Sequence, residues 1–360
     1  MITATDLTTF LTRRRGRALH WTDVVAHLYL AFGLALVVLP VVWMLVSSVK
    51  SQRALVENDP RLLPWEQVTV LGSEGRQLSV FTLVRDDGTR LEVAFLAPRG
   101  RNALVVPVAE VGDATRAFEA PRDRLVRKET VAPQIGNYTK PLFGTGDTDR
   151  FPFMRFFWNS TFVTTMATLL TLLVNSMAAF ALSKYRFRGR DAIVVIIVST
   201  LLIPPTVILV PLFITVQGLG LFNELWGVII PAIASPTGVF LLRQYMLTIP
   251  DELLEAARMD AASEWKIYWR IILPLAAPAL AVLAILSVIW RWNDFMWPLI
   301  VLTKSEVYTL QLGLSTFKGE IADNLDHLLA MTVLTLLPVT LVFVFLQKHI
   351  TAGIANTGLK

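Results

Sequence analysis

The sequence predicts an all-α polytopic membrane protein of six spans that carries a small β-rich insertion. Hydrophobic residues make up 54% of the 360 and charged ones only 17%, against about 25% charged in an ordinary soluble domain. Several apolar runs exceed the roughly 18 residues needed to cross a bilayer core. Between Lys50 and Arg155 the chain changes character, becoming charged and punctuated by Gly and Pro. The net charge of +5 sits in short segments beside the apolar runs, so it reports topology rather than a nucleic-acid partner. Cysteine is absent, which excludes a disulfide framework, a thiolate metal site and a thiol nucleophile. The four histidines, His20, His27, His327 and His349, are not paired at metal-ligand spacing.

Residues 1–22 are polar and carry Arg13, Arg14, Arg15 and Arg17, which places them in the cytoplasm. The first span follows at residues 23–48, too long for a signal peptide and without a small-residue cleavage pattern. Residues 49–155 form the insertion. Val68–Leu71, Leu78–Val84, Leu91–Leu96 and Leu104–Val108 read as strands, and Arg85–Arg90 contains Asp-Gly, which suits a tight hairpin turn. The membrane core occupies residues 156–350. Its first helix, about Asn159 to Leu182, is followed by Lys184, Arg186, Arg188 and Arg190, so that turn is cytoplasmic. The next span, about Asp191 to Val216, contains Pro204, Pro205 and Pro211, which free backbone carbonyls at membrane depth. A span at about Leu225 to Leu247 returns to the cytoplasm, and residues 248–274 form an inner loop, a placement with which Arg258, Lys266 and Arg270 agree. Spans at about Leu275–Leu302 and Leu328–Gln347 are joined by an outer loop, Thr303–His327, and residues 351–360 end the chain inside.

The inner loop carries the most specific signal. Ile249-Pro250-Asp251-Glu252 reads as a helix start, with Pro early and acids at the positive end of the dipole. Leu253, Leu254 and Ala257 give an apolar stripe. Ser263 can cap a second helix running through Trp265 and Tyr268 to Ile272, with Pro274 at its end and an elbow at Asp260-Ala261. Glu255-Ala256-Ala257, three residues, Ala261, nine residues and Ile271-Ile272-Leu273-Pro274 resemble the EAA loop of membrane subunits of ABC importers, except that the family has Gly at the position of Ala261. A positive φ there would cost Ala about 1 kcal/mol relative to Gly, so the sign of φ stays open. Asn137-Tyr138, Phe187-Arg188-Gly189-Arg190, Trp292-Asn293-Asp294-Phe295 and the small-residue tail are similar to segments of maltose-type sugar permeases, and the enlarged insertion is similar to that of alpha-glucoside permeases.

The resemblance implies a type I permease fold and one half of an alternating-access path for an oligosaccharide or alpha-glucoside such as maltose, trehalose or sucrose. It implies as partners a second homologous permease, a cytoplasmic ATPase homodimer, an extracytoplasmic sugar-binding protein and the lipid bilayer of a bacterial inner membrane, with no nucleic acid. Glu255, Ala256, Ala257, Asp260 and Ala261 would couple to the ATPase, with Glu255 and Ala257 facing it. Arg291, Trp292, Asn293 and Asp294 would line the path, Arg291 and Asp294 sharing a helix face and able to neutralise each other. Gln311, Ser315, Thr316 and Lys318 would meet the binding protein. No Gly-x-x-x-x-Gly-Lys-Ser/Thr loop occurs, so no cofactor is expected on this chain, ATP and Mg belonging to the partner ATPase subunits. A membrane glycosyltransferase would need acids grouped at an interface, whereas Glu74, Asp86, Asp87 and Glu92 fall on turns and exposed strand faces. A secondary carrier gains no support, because no internal repeat is visible.

Overall fold

The computed structural model describes residues 21–56, 61–72, 75–85, 88–143, 152–317 and 325–357. The chain divides into two compact units, one made of residues 1–138 with 323–330 and the other of 139–322 with 331–360. The basic cluster at 13–17 and the chain's last three residues lie outside the described residues.

The first unit holds α1 (Trp21–Ser47), α2 (Gln52–Val56) and eight strands: β1 (Trp65–Gln67), β2 (Thr69–Leu71), β3 (Gln77–Val84), β4 (Arg90–Arg99), β5 (Asn102–Pro107), β6 (Phe118–Pro121), β7 (Leu125–Arg127) and β8 (Glu129–Val131). α1 is apolar on every face and its side chains are almost all exposed, as expected of a helix whose solvent is lipid. The strands form an antiparallel sheet in the order β2-β3-β4-β5-β6, with β7 on β3, and a separate β1-β8 pair. Leu83, Val93, Ala103, Val105 and Ala120 make its core. At the β3-β4 turn Gly88 has φ 78°, and its N–H donates to the Arg85 carbonyl at 3.0 Å. Asp86 and Asp87 themselves are outside the described residues. Sequence periodicity misses β1, β6, β7 and β8, which are three or four residues long. The buried Asn137 donates to the carbonyls of Ser48 and Lys50, and the hydroxyls of Tyr138 and Ser48 lie 2.6 Å apart. The Asn-Tyr pair thereby pins the end of the β domain to the end of α1.

The second unit begins with α3 (Gly136–Phe143, most of it in this unit) and α4 (Phe153–Lys184), then α5 (Arg190–Thr200), α6 (Pro205–Gly218), α7 (Leu225–Ile229), α8 (Pro236–Leu247), α9 (Glu252–Met259), α10 (Glu264–Ile267), α11 (Leu273–Leu275), α12 (Ala277–Trp292), α13 (Met296–Val301), α14 (Leu310–Phe317) and α15 (Leu325–Thr357, whose first turn belongs to the other unit). Among the described residues three helices are long and apolar enough to cross a membrane alone: α1, α4 and Leu325–Phe345 of α15. Three further stretches qualify only as bent pairs. α5 and α6 meet at 104° across Pro204-Pro205, the α7 and α8 stretches at 42° across Ser235-Pro236, and the α10–α11 stretch meets α12 at 76° at Ala276. Each break sits beside a proline, which removes a helix donor and clashes with the preceding turn. The expected span at Asp191–Val216 is therefore sharply folded rather than merely kinked. At Ser235 the freed backbone is satisfied by the side-chain hydroxyl, which accepts from the Gly238 N–H at 3.2 Å. α15 runs to Thr357, so the segment expected as a separate tail continues a helix.

Candidate functional site

The segment between α8 and α12 is a pair of short helices joined at an elbow. α9 starts after Pro250, but Asp251 does not cap it through its side chain. That carboxylate accepts instead from the Lys184 ammonium at 2.6 Å. α9 ends in a Schellman motif: the Ala261 N–H donates to the Arg258 carbonyl and the Ala262 N–H to the Ala257 carbonyl, both at 3.0 Å. The residue in the left-handed position is Ala261, with φ 54°. The elbow thus keeps the conformation that glycine would favour and bears its cost in alanine. Ser263 caps α10 by accepting from the Lys266 N–H at 3.3 Å, and a π-type turn, Tyr268–Ile272, leads on to α11. Across the elbow the Arg258 guanidinium donates to both oxygens of Glu264, at 2.7 and 3.3 Å. The Tyr185 hydroxyl donates to the same carboxylate at 2.7 Å.

Packing divides the residues of the loop. Leu254, Ala257, Ile267, Tyr268 and Ile272 are buried in one cluster with Phe180, Leu242 and Met246. The expectation that Ala257 faces a partner is corrected: it is 8% exposed, because it lies one helical turn from Leu254 on the inward stripe. Glu255, Ala256, Asp260 and Ala261 are exposed. Met259, 87% exposed, and Trp265, 57% exposed, join them on the outside. Leu253, expected on the apolar stripe with Leu254 and Ala257, is exposed as well; the sequence reading placed Trp265 on the second helix and passed over Met259, although an apolar residue off the buried stripe was the available signal.

Three charges of the loop, on Asp251, Arg258 and Glu264, are held in ion pairs. Hydrogen bonding to Lys184 holds the Asp251 carboxyl below its ordinary range. Hydrogen bonding to Arg258, and next to Tyr185, does the same for Glu264 against the opposing effect of burial. Burial, helped by the Glu264 hydrogen bond, pushes the Tyr185 phenol up to about 12. The basic and acidic groups therefore act as fixed braces at neutral pH.

Arg291 and Asp294 make no direct ion pair, although each lies within the electrostatic reach of the other. α12 ends at Trp292, so Asp294 falls in the break before α13 instead of on the same helix face. The Arg291 guanidinium donates to the Thr171 hydroxyl at 2.9 Å and to the Ala232 carbonyl at 2.6 Å, tying α12 to α4 and to the turn after α7. Trp292 is buried, and its indole N–H donates to the Thr335 carbonyl at 2.9 Å. Asp294 accepts from the Trp297 N–H at 3.3 Å. Asn293 is exposed and its amide donates to the Ile289 carbonyl. Arg291 and Trp292 thus spend donors on the bundle itself.

The expected outer loop Thr303–His327 is partly a packed element. α14 buries Leu310, Leu312 and Leu314, and a Cβ on Gly313 would lie 2.2 Å from a ring carbon of Phe156. The Asn159 amide donates to the carbonyls of Glu306 and Tyr308, both at 2.9 Å, and the Leu310 N–H donates to Ser160 Oγ at 2.7 Å. Ser315 and Thr316 turn their hydroxyls back to the carbonyls of Leu312 and Gly313. Gln311 is half-buried, and Lys318 lies outside the described residues. Among the described residues no group of His, Cys, Asp or Glu could hold a metal ion.

Helices of membrane-spanning length and composition, three single and three proline-broken, mark a polytopic membrane protein. The family described as the binding-protein-dependent transport system inner membrane component matches residues 171–356, and this chain belongs to it. Its relatives include the arabinooligosaccharides transport system permease protein AraQ of Bacillus subtilis, 40% identical over 224 residues, or 62% of this chain and 78% of the relative. The lactose transport system permease protein LacG of Rhizobium radiobacter is 32% identical over 201 residues, or 56% of this chain and 74% of the relative. A solved bacterial ABC transporter involved in the import of the acidic polysaccharide alginate shares the fold, with a TM-score of 0.66 at 22% identity, over 94% of this chain and 99% of that one. The chain is accordingly a multi-pass inner-membrane transport subunit and not an enzyme.

Proposed function

We propose that this chain is a permease subunit of an ATP-driven sugar importer that forms half of the translocation path with a second, homologous permease. The sugar-transport names of relatives that are 40% and 32% identical carry this reading. Each bent stretch supplies one span, giving six, the third of these stretches crossing through α12 and not α10, with both termini and the α9–α10 loop in the cytoplasm because Lys184, Arg186, Arg188 and Arg190 adjoin that side. The loop presents Glu255, Ala256, Asp260, Ala261 and Met259 to an ATPase dimer, whose ATP and Mg drive alternating access, while Ala257 supports the surface from beneath. Asn293 and Asp294 line the path, and Arg291 and Trp292 hold that face in position. Residues near Gln311, Ser315, Thr316 and Lys318 meet an extracytoplasmic sugar-binding protein. An oligosaccharide of the arabinose type is the first substrate to test; an alpha-glucoside is the second, supported by the enlarged insertion alone.

The test is uptake by the complex reconstituted in proteoliposomes with its binding protein and ATPase. Radiolabelled arabinotriose should accumulate only with ATP, and Glu255→Lys should abolish accumulation. If neither arabinotriose nor maltose accumulates while the ATPase remains bound, the sugar reading is wrong.

A further inference from the structure

The two-helix loop is fastened to a helix that does not flank it in sequence. Lys184, the last residue of α4, has a side chain only 2% exposed and donates to the Ile249 carbonyl and the Asp251 carboxylate at the start of α9. Its neighbour Tyr185 donates to Glu264 at the start of α10, and Glu264 is joined to Arg258 on α9. The starts of both helices of the loop are therefore bonded to the C-terminal end of α4. Two further bonds thicken the joint: the Ser176 and Tyr268 hydroxyls lie 2.7 Å apart, and Arg243 of α8 donates to the Leu182 carbonyl at 3.2 Å.

The far end of α4 is fastened in the same manner. Asn159 and Ser160 bond the backbone of residues 306, 308 and 310, and Phe156 lies against Gly313. Between these ends α4 runs 32 residues without a break or an internal proline, a rod of about 48 Å at the helical rise of about 1.5 Å per residue. It contrasts with the bent pairs around it. An unbroken helix bonded at both ends moves its two attachments together, whereas a bent pair absorbs displacement at its hinge.

We propose that α4 is the element linking the segment around α14 to the α9–α10 loop, with Lys184 and Tyr185 as positioning residues at one end and Asn159 and Ser160 at the other. The inference rests on the importer reading for what the two ends meet. Neither Lys184 nor Tyr185 needs to touch the ATPase; they set where the docking surface stands for a given position of α4. Thr168 with Ser287 and Thr171 with Arg291 bond α4 to α12 midway, so the same rod also carries α12.

The experiment measures ATP hydrolysis by the reconstituted complex as a ratio, with and without sugar-loaded binding protein. Lys184→Met with Tyr185→Phe removes the side-chain bonds of those two residues to α9 and α10 and keeps the shapes; Asn159→Leu removes two of the outer bonds and leaves that of Ser160. Each is expected to lower the ratio about fivefold or more, the lower range of measured coupling energies. Because both break one link, the combined variant should lower it little further than either alone, whereas effects that multiply belong to independent sites. An unchanged ratio in the Lys184→Met, Tyr185→Phe variant, or multiplying effects, overturns the proposal. Tyr185→Phe alone and Asn159→Ser provide milder variants should the others not assemble. Stimulation and uptake by the unmodified complex report on the importer reading separately: their absence refutes that reading, and their presence with unchanged variant ratios refutes only the role of α4.

Discussion

Replacing Ala261 by glycine should stabilise the loop. At φ 54° the Ala261 Cβ crowds its own backbone, a conformation that costs an L-residue about 1–2 kcal/mol and glycine almost nothing. Glycine gains freedom in the unfolded chain, which returns about 0.4–1 kcal/mol. The Ala261 side chain is exposed, so its removal forfeits no packing. The expected net gain is about 0.5–1 kcal/mol. Both Schellman bonds, from Ala261 to Arg258 and from Ala262 to Ala257, use backbone atoms and survive the change. Amide exchange at 261 and 262 should therefore slow about two- to fivefold in Ala261→Gly. Ala261→Val, whose branched Cβ is a true outlier at positive φ, should accelerate it. Unchanged or faster exchange in the glycine variant, or a tolerated valine, would refute the assignment of strain to this residue.

Glu255→Lys should leave membrane insertion intact and reduce recovery of the ATPase on an affinity column, since Glu255 is exposed and makes no described internal ion pair; co-purification checks it. Gly313→Ala should destabilise the α4–α14 contact by about 1–3 kcal/mol, because the new methyl meets the Phe156 ring at 2.2 Å; a lower melting temperature, partly restored by Phe156→Leu, is the expected result. Asp251 and Glu264 titrate below their ordinary values, so their bracing is fully present above the unfolded carboxylate range of about 4 and is lost as pH falls through the folded values. Amide protection in 249–267, corrected for intrinsic exchange, should be flat from pH 8 to pH 6 and fall in acid, and Lys184→Met with Glu264→Gln should remove the fall.

The inner loop was the most legible part of the chain, because its signals are local. Pro250, Ser263 and the spacing from Glu255 to Pro274 mark helix ends by the chemistry of single residues. The sign of φ at Ala261 was not legible, since it depends on bonds made by neighbouring amides rather than on the alanine. The apolar stripe already placed Ala257 with Leu254, so its inward position was available, while the family pattern argued for the outside. The direct pair of Arg291 with Asp294 fails for another reason: it assumed a continuous helix, whereas Asn293 and Asp294 are poor helix formers and Asn293 is the residue at which α12 stops. α14 was hidden because its burial depends on Phe156 and Ser160, some 150 residues away.

The π-type turn at Tyr268–Ile272 has a consequence for spacing. Such a turn is how a helix accommodates one residue more than its regular winding allows. The nine residues between Ala261 and Ile271 include that surplus residue, which turns Tyr268 inward to the Ser176 hydroxyl and leaves Trp265 and Trp269 outside. Deleting one residue here would restore an ordinary winding and rotate everything before it by about 100°. The interval is thus fixed as a count, and residues within it are more readily exchanged than lost.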